Sequence, residues 1–261
     1  MTPALQAFGL TKSFGGVSAV NDVSFSVGQG SLCAIIGPNG AGKSTLFNLV
    51  TNLYSPSSGH VELFGKSLHG VSGSAIAGLG LVRTFQTARV FPGMTALENV
   101  LSGAHMSVRS SALQQMLGLA AARAENAGLI AKAEALLEIF SLSGVRHRAA
   151  TELAMGSQKV LEVLRALMAK PRVLLLDEPA AGLNDTETAE LAAVLLAVKQ
   201  TGVTMIVVEH NMSLVMGIAD EIIVLDAGSV VAAGTPAAIQ NDARVLESYV
   251  GRRNEAGHGH A

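Results

Sequence analysis

Several residue types are scarce in this 261-residue sequence, and each scarcity narrows the possible functions. There is one cysteine, Cys33, so no disulfide can form within the chain, which suits a reducing compartment. Trp is absent and aromatic residues make up only 4% of the chain, so its 28 Gly residues indicate tight turns rather than a large aromatic core. Charged residues account for only 15%, and the net charge is −2. Overall charge therefore does not favour a nucleic-acid or anionic-lipid partner.

Long apolar runs are also missing. No stretch of about 18 apolar residues occurs, so no transmembrane helix is predicted. The longest uncharged stretch, Val23–Gly42, is interrupted by Ser, Gln, Pro and several Gly residues. The first ten residues lack the basic region, apolar region and cleavage site of a signal peptide. We therefore expect a protein on the cytoplasmic side that forms no channel itself.

What is present is a pattern of short strands that is interrupted by one helical region. Strands are predicted at Ala4–Leu10, Asn21–Val27, Leu32–Ile36, His60–Leu63, Leu79–Arg83, Val173–Leu176, Val203–Val208, Glu221–Leu225 and Ser229–Ala233. Val173–Leu176 and Thr204–Val208 are apolar throughout, which is typical of parallel strands covered on both faces. A final helix is predicted at Thr235–Gln240, where Thr235 is a candidate cap and Pro236 a first-turn proline.

Between about Thr95 and Lys170 helix formers replace the strand signals. The prediction is one domain over 4–251, in which 4–94 and 171–251 form an α/β core, 95–170 form an inserted helical lobe, and 252–261 form a flexible tail. Within the lobe, helices are predicted at Ala131–Phe140 and Lys159–Ala169. The first helix is expected to place these apolar residues on one face: Ala135, Leu136, Ile139 and Phe140.

The sequence Gly37–Ser44, GPNGAGKS, has the spacing of a phosphate-binding loop. A predicted strand precedes it and a predicted helix follows it, as this loop requires. Its glycines allow backbone N–H groups to surround phosphate oxygens at a helix N-terminus. Lys43 is expected to contact the β- and γ-phosphates, Ser44 to bind Mg²⁺ and Thr45 to donate to the α-phosphate. The nucleotide contacts are predicted at Asn39, Gly40, Ala41, Gly42, Lys43, Ser44 and Thr45.

Two acids, Asp177 and Glu178, follow directly after an apolar strand. At the carboxyl edge of a parallel sheet they would lie beside the phosphate loop. Asp177 is then a candidate Mg²⁺ ligand that acts through water, and Glu178 is the candidate general base for an attacking water. The alternative, a capping Asp and a solvated Glu, becomes weaker once the pair is combined with the loop.

The order of these motifs resembles the ATP-binding cassette (ABC) family over about Leu5–Gly251. The resemblance implies an α/β fold: a P-loop NTPase core with a mostly parallel sheet, an N-terminal antiparallel β subdomain and an inserted α-helical lobe. Within the family the sequence is most similar to the G-type ATPase subunits of branched-chain amino acid importers. That closer resemblance rests on three segments: VRTFQ at 82–86, EPAAGLN at 178–184 and EHNMSLVM at 209–216.

The resemblance also implies further site residues. Gln86 matches the glutamine that contacts Mg²⁺ and the attacking water, and His210 matches the switch histidine at the γ-phosphate. Phe14 matches the aromatic that stacks on adenine, although a core position is also open for it, and Val20 could line the same base. Asn184 stands in the loop that crosses to an opposing subunit, where many cassettes carry Asp.

The family signature is degenerate here, since Leu153–Gln158 reads LAMGSQ where the family has LSGGQ. Ala154 lacks the hydroxyl that would bond a γ-phosphate, and Ser157 replaces the usual Gln. The helix that starts nearby can still aim its N–H groups at phosphate, with Gly156 allowing close approach. The resemblance implies that Ala154, Gly156 and Ser157 serve the ATP of the opposing subunit.

For partners, the resemblance implies a second ABC ATPase subunit, with a heterodimer favoured over a homodimer, and membrane permease subunits. It also implies an indirect link to a periplasmic or extracellular solute-binding protein, and no nucleic acid. The expected activity is ATP hydrolysis with ATP and Mg²⁺ at the cytoplasmic face of the inner or plasma membrane. Val90 and Phe91, if exposed, would suit docking of a permease helix, and burial in the lobe is the other reading.

Other functions remain open at this stage. The solute could be urea, another amide or a small carboxylate instead of a branched-chain amino acid. A cassette ATPase that acts on DNA or ribosomes usually carries tandem cassettes or coiled-coil insertions, and neither is seen here. A P-loop kinase or GTPase is disfavoured by the combination of Gln86, Gly156, His210 and the Asp177–Glu178 pair.

Overall fold

The structure is a computed structural model that describes residues 2–84, 90–108 and 110–248. Its strands are β1 Leu5–Phe14, β2 Val17–Val27, β3 Leu32–Ile36, β4 Ser58–Leu63, β5 Lys66–Ser67, β6 Leu81–Arg83, β7 Val173–Asp177, β8 Thr204–Val208, β9 Glu221–Asp226 and β10 Ser229–Gly234. Its helices are α1 Lys43–Val50, α2 Gly73–Gly78, α3 Ala96–Ser102, α4 Ala112–Met116, α5 Ala120–Ile139, α6 Met155–Met168, α7 Asp185–Gln200, α8 Met212–Ile218 and α9 Pro236–Gln240.

The central sheet has the strand order β10-β9-β3-β8-β7-β6. Strand β3 pairs in parallel with β8 and β9, and β7 pairs in parallel with β6 and β8. Only the edge hairpin between β9 and β10 is antiparallel among the pairs described in this sheet. Because parallel strands end at the same edge, the residues that follow β3, β7 and β8 come together there.

Both faces of the central sheet are covered, as the unbroken apolar runs predicted. Successive residues of β7 and β8 alternate between two separate apolar clusters. Leu174 and Leu176 pack with the helical part of the chain, whereas Val173 and Leu175 pack toward α1 and the second sheet. All of these side chains are buried. Because side chains alternate along a strand, each of these strands contributes residues to both apolar clusters.

The second sheet is antiparallel, with the order β2-β1-β4-β5. Leu5 lies in the middle of it, opposite Val27 on one side and Leu63 on the other. These side chains share a cluster with Phe47 of α1, which is fully buried. The α/β class and its N-terminal antiparallel part are thus as predicted, and α1 is held between the two sheets.

Helices α3 to α6 lie in the chain between β6 and β7. Helix α6 contributes Leu161, Val163 and Leu164 to the larger cluster. The apolar face predicted for α5 is correct for Leu136 and Phe140, which are partly buried against the larger cluster, and wrong for its other two residues. Ala133 and Leu137 are the buried residues of that segment, while Ala135 is exposed and the Ile139 side chain is 68% exposed.

Local sequence explains where several helices begin. Thr95 accepts from the N–H of Glu98, whose carboxylate accepts in return from the Thr95 N–H, which forms a capping box before α3. Thr235 caps α9 and Pro236 occupies its first turn, as predicted. None of the helices within the described ranges is long and apolar enough to span a bilayer.

Candidate nucleotide-binding site

The phosphate loop lies between the end of β3 and the start of α1 at Lys43. Two of its glycines are required by geometry. Gly37 has φ 150°, and a Cβ there would lie 2.1 Å from the Leu225 carbonyl oxygen. Gly42 has φ 98°, and a Cβ there would lie 2.3 Å from the Ala19 carbonyl oxygen. A side chain at either position would displace backbone, so the sequence folds this loop only with glycine.

The loop forms one side of an open, mostly polar pocket of about 250 Å³. The lining residues are Ala19, Asn39, Gly40, Ala41, Gly42, Lys43, Ser44, Thr45 and Glu178. The predicted phosphate-contacting residues are thus brought together with the predicted base in a single pocket. The N-terminus of α1 points its free N–H groups toward the same side, which favours an anion.

Lys43 is the cation of this pocket. Its Nζ donates to the carbonyl oxygens of Gly37, at 2.7 Å, and Pro38, at 3.0 Å. The side chain is buried, and burial lowers the pKa of its ammonium, while the charge of Glu178 acts in the opposite direction. Lys43 therefore lies folded over the loop, with its charge close to where a phosphate would sit.

Asp177 ends β7 and is held by Arg83 at the end of the neighbouring strand β6. Arg83 Nη2 donates to Asp177 Oδ2 at 3.0 Å, and the two side chains are 14% and 3% exposed. Burial raises the pKa of the Asp177 carboxyl, and Arg83 opposes that rise. The Arg83 guanidinium also donates to Asn48 Oδ1 at 2.6 Å and lies 4.7 Å from the centre of the Phe47 ring.

Glu178 has φ 46°, a left-handed conformation that is unusual for a residue with a side chain. Its N–H donates to the Val208 carbonyl oxygen at 2.9 Å, which links the ends of β7 and β8. Glu178 is one of the residues that line the pocket. His210 Nδ1 lies 4.0 Å from Glu178 Oε1, too far for a hydrogen bond, and the histidine side chain is 61% exposed.

The region predicted to bind adenine has two exposed aromatic side chains, Phe14 and Tyr54. Phe14 is 46% exposed, with Tyr54 packed edge-on at a centroid distance of 5.7 Å. Val20 has no exposed surface and packs in the cluster below β1 and β2, so the expectation that it lines a base needs correction. Its neighbour Ala19 lines the pocket instead. Alternation along the strand explains the difference.

The degenerate signature lies at the start of α6. Ala154 is its N-cap residue and is exposed, and no side chain of its own caps the helix. Instead, Glu187 of α7 accepts from the Gly156 N–H at 3.0 Å through Oε1 and from the Asn184 N–H at 3.1 Å through Oε2. Ser157 is half-buried in the first turn. These residues do not line the pocket around Lys43 in the part of the chain described.

Gln86 lies outside the described residues, so its predicted contacts have no structural counterpart here. Of the two apolar residues that follow, Val90 is buried and Phe91 is 45% exposed, so only Phe91 is available at the surface. The Arg165 guanidinium lies 4.8 Å from the centre of the Phe91 ring. Together they border a groove of about 310 Å³ between β6, α3 and α6.

The donors near the pocket fit Mg²⁺ held together with a nucleotide. Ser44 offers a hydroxyl oxygen in the pocket, and Asp177 directly precedes Glu178, which lines the pocket. No cluster of three or more His, Cys, Asp or Glu side chains suited to a metal is found among the described residues. A small set of hard oxygen ligands is what Mg²⁺ uses when phosphates and water complete its shell.

Three charged residues of this region were not assigned a role from the sequence. Arg83 is paired with Asp177, Glu187 joins two helix termini, and Glu209 is fully buried at the end of β8. Arg83 and Glu209 share a detectable signal, a charge directly at the carboxyl end of an apolar strand, where Asp177 and Glu178 also stand. Nothing in the sequence alone links Glu187 to Gly156.

The strand–loop–helix unit, the buried lysine and the acid pair define a P-loop nucleotide-binding protein. Comparison with known proteins gives the family. Residues 20–181 match the family model described as ABC transporter. The chain belongs to the ABC transporter family, as one of its ATP-binding subunits, which confirms the resemblance noted in the sequence.

The relatives are similar over nearly their whole length. The high-affinity branched-chain amino acid transport ATP-binding protein BraF of Pseudomonas aeruginosa is 41% identical over 95% of this chain and 98% of its own. The protein LivG of Escherichia coli, which carries the same description, is 39% identical over the same shares. A crystal structure of an ABC transporter cassette in its ADP conformation is 31% identical, with a TM-score of 0.83 over 96% of this chain and all of its own.

Proposed function

We propose that this chain hydrolyses ATP to power an ABC importer for branched-chain amino acids. The observation that carries the proposal is the 250 Å³ pocket, in which the phosphate loop, Lys43 and Glu178 face one another. Its polyanion-binding groups lie on one side and a carboxylate lies on the other. An enzyme that binds a triphosphate and then activates a water molecule to attack it needs this arrangement.

Binding of ATP begins with an exchange at Lys43. Its two bonds to loop carbonyls give way to bonds with phosphate oxygens, while the backbone N–H groups of the loop and of α1 donate to the same anion. Ser44 and Asp177 would hold Mg²⁺, which supplies neutralising charge on the β- and γ-phosphates when bound. Phe14 would stack on the adenine, because it is an exposed aromatic at the end of β1 and matches the family's adenine-stacking position.

Hydrolysis is assigned to Glu178 as general base for the attacking water. Glu178 has a left-handed backbone conformation and lines the pocket. His210, 4.0 Å from the glutamate, would contact the γ-phosphate and hold the base in position once nucleotide is present. Gln86 is proposed, from the family pattern alone, to contact the metal and the water.

The active site is proposed to be completed by a second cassette subunit. Ala154 and Asn184 are exposed, and none of the first residues of α6 lines the pocket around Lys43 in the described part of the chain. Ala154, Gly156 and Ser157 would then face the ATP of the opposing subunit. A heterodimer is proposed from the family resemblance of the sequence alone, and a homodimer is the alternative outcome.

Coupling to the membrane is proposed at the groove bordered by Phe91 and Arg165. An apolar ring with a cation over it and an adjoining cavity suits a short amphipathic helix from a permease subunit. The chain would then lie peripherally at the cytoplasmic face of the membrane. A solute-binding protein outside the membrane would deliver the substrate.

The substrate class rests on the similarity to BraF and LivG, which are named as branched-chain amino acid transport ATP-binding proteins. Urea, amides or small carboxylates are the alternative solutes, since the cassette itself does not touch the solute. Expression of the chain with its cognate permease and binding protein in proteoliposomes tests both points. We expect ATP-dependent leucine uptake that is lost in Glu178→Gln. Uptake of urea but not leucine would refute the amino acid assignment.

The geometry of the dimer provides a second test. Glu178→Gln should retain ATP and form a stable closed dimer, because the base is lost while every phosphate contact remains. Restoring Ser at position 154 should change turnover at the partner's site more than at the site of Lys43. Site-resolved nucleotide trapping measures this difference, and equal effects on the two sites would contradict the composite arrangement.

A further inference from the structure

Glu209 is a buried acid that the reaction described above does not use. It follows β8 directly, and its side chain has no exposed surface. Within the described part of the chain, no Lys or Arg forms an ion pair with it, and the His210 Nδ1 lies 3.9 Å from its Oε2. Its own N–H donates to the Ile35 carbonyl oxygen at the end of β3, which fixes the residue beside the phosphate-loop strand.

The bonds of the Glu209 carboxylate all go to backbone N–H groups of two loops. Oε1 accepts from the Ala180 N–H at 2.7 Å, in the turn that follows Glu178. Oε2 accepts from the N–H groups of His210 at 2.9 Å and Asn211 at 3.1 Å. One oxygen therefore holds the loop of the base, and the other holds the loop of the switch histidine.

We propose that Glu209 is a positioning residue that holds the Glu178 loop and the His210 loop in register. The proposal rests on the proposed function of Glu178 and His210 and adds to it the group that sets their separation. Each loop also leads into a helix, since Asn184 caps α7 and Asn211 caps α8. A shift of the Glu178 loop would therefore move the segment at Asn184 that is expected to cross to the opposing subunit.

The carboxylate suits this role because it has two oxygens that only accept. Three N–H groups converge on it from two sides, and an ionised carboxylate accepts from all of them. A glutamine of the same shape has one accepting oxygen, and its NH₂ group would face N–H donors on the other side. Glu209→Gln must therefore release one loop while leaving the buried volume unchanged.

The test compares Glu209→Gln with wild type in the assembled transporter, by steady-state ATP hydrolysis and by equilibrium binding of ATP. We expect kcat to fall about 10- to 100-fold, as for a misplaced catalytic group, with less than about a threefold change in the Kd for ATP. Met205→Ala is the matched control, because Met205 is buried in β8, the strand that Glu209 follows, and within the described residues its side chain makes no hydrogen bond to either loop. If Met205→Ala lowers the thermal stability as much as Glu209→Gln does, its kcat should still equal that of the wild type.

A double variant tells positioning apart from a general loss of packing. Because Glu209 holds the loops of both His210 and Glu178, adding Glu209→Gln to His210→Ala should lower kcat by a smaller factor than Glu209→Gln lowers it in the wild-type background. Losses that multiply, or a kcat for Glu209→Gln equal to that of the Met205 control, would overturn the proposal. If Glu209→Gln does not fold, Glu209→Asp carries the same test, because it keeps the charge but withdraws the carboxylate by one methylene. A wild-type complex that fails to hydrolyse ATP would instead refute the proposed function itself.

Discussion

Replacing Arg83 by methionine is expected to destabilise the protein strongly, and the geometry gives the size of the effect. Arg83 and Asp177 form an ion pair at 3.0 Å with little solvent access on either side. Methionine preserves much of the apolar volume but leaves the carboxylate buried without its partner. Breaking one side of a buried pair costs about 3–5 kcal/mol in the free energy of unfolding.

Part of that cost does not come from Asp177. Asn48 Oδ1 loses its 2.6 Å donor, and Phe47 loses the cation above its ring. These two losses contribute about 1–3 kcal/mol of the total. The remainder comes from the unpaired carboxylate, so it should be recovered when that charge is also removed. The double variant Arg83→Met with Asp177→Asn should therefore be about 2 kcal/mol more stable than Arg83→Met alone.

Urea unfolding followed by circular dichroism measures this cycle. The four proteins are wild type, Arg83→Met, Asp177→Asn and the double variant, compared in one buffer at neutral pH without nucleotide. A double variant that is less stable than Arg83→Met would refute the reasoning. So would a loss below about 1 kcal/mol for Arg83→Met, since that is the range of an exposed pair.

Three further predictions follow from contacts elsewhere. The hydrogen bond from the Gly156 N–H lowers the pKa of the Glu187 carboxyl. The ionised Glu187 therefore stabilises the fold above the ordinary pKa of Glu, and this stabilisation is lost as the pH falls through the lowered pKa. Thermal unfolding should then favour wild type over Glu187→Gln at neutral pH, and an equal gap at acid pH would contradict this. Leu137→Ala should lower the free energy of unfolding in urea by about 2–5 kcal/mol, and Ile139→Ala by less than about 0.5 kcal/mol. Equal losses for the two variants would contradict the assignment of Leu137 as buried and Ile139 as exposed. Phe14→Ala should weaken ATP binding about fivefold or more by calorimetry, with Phe14→Tyr unaffected; unchanged affinity would exclude stacking.

The fold was accessible from the sequence because its strongest signals are local. Val173–Leu176 and Thr204–Val208 read as buried parallel strands, and they occupy the middle of the sheet. The error in α5 has a physical origin. A short helical window offers two adjacent apolar stripes, and the choice between Leu137 and Ile139 depends on which helix packs against it. The local sequence of the helix does not identify that packing partner.

The candidate site was partly accessible for the same reason. The phosphate loop, Asp177 and Glu178 form contiguous motifs, and the strand ends bring them together. The contacts of Glu209 and Glu187 join residues that are up to 31 positions apart. They depend on how the loops close in space, which no spacing pattern encodes. Val20 shows that closeness in sequence can also mislead: it directly follows Ala19, which lines the pocket, but its own side chain is buried in the core.

The central claim is that the loop around Lys43 binds the phosphates of ATP, and equilibrium binding tests it most directly. The purified chain is titrated with Mg·ATP, and Lys43→Ala is titrated in parallel under the same conditions. The account predicts binding by the wild-type chain and a loss of affinity of at least about tenfold in the variant, because a buried cation at the phosphates is removed. Equal affinities for the two proteins, or no binding by the wild type, would contradict it.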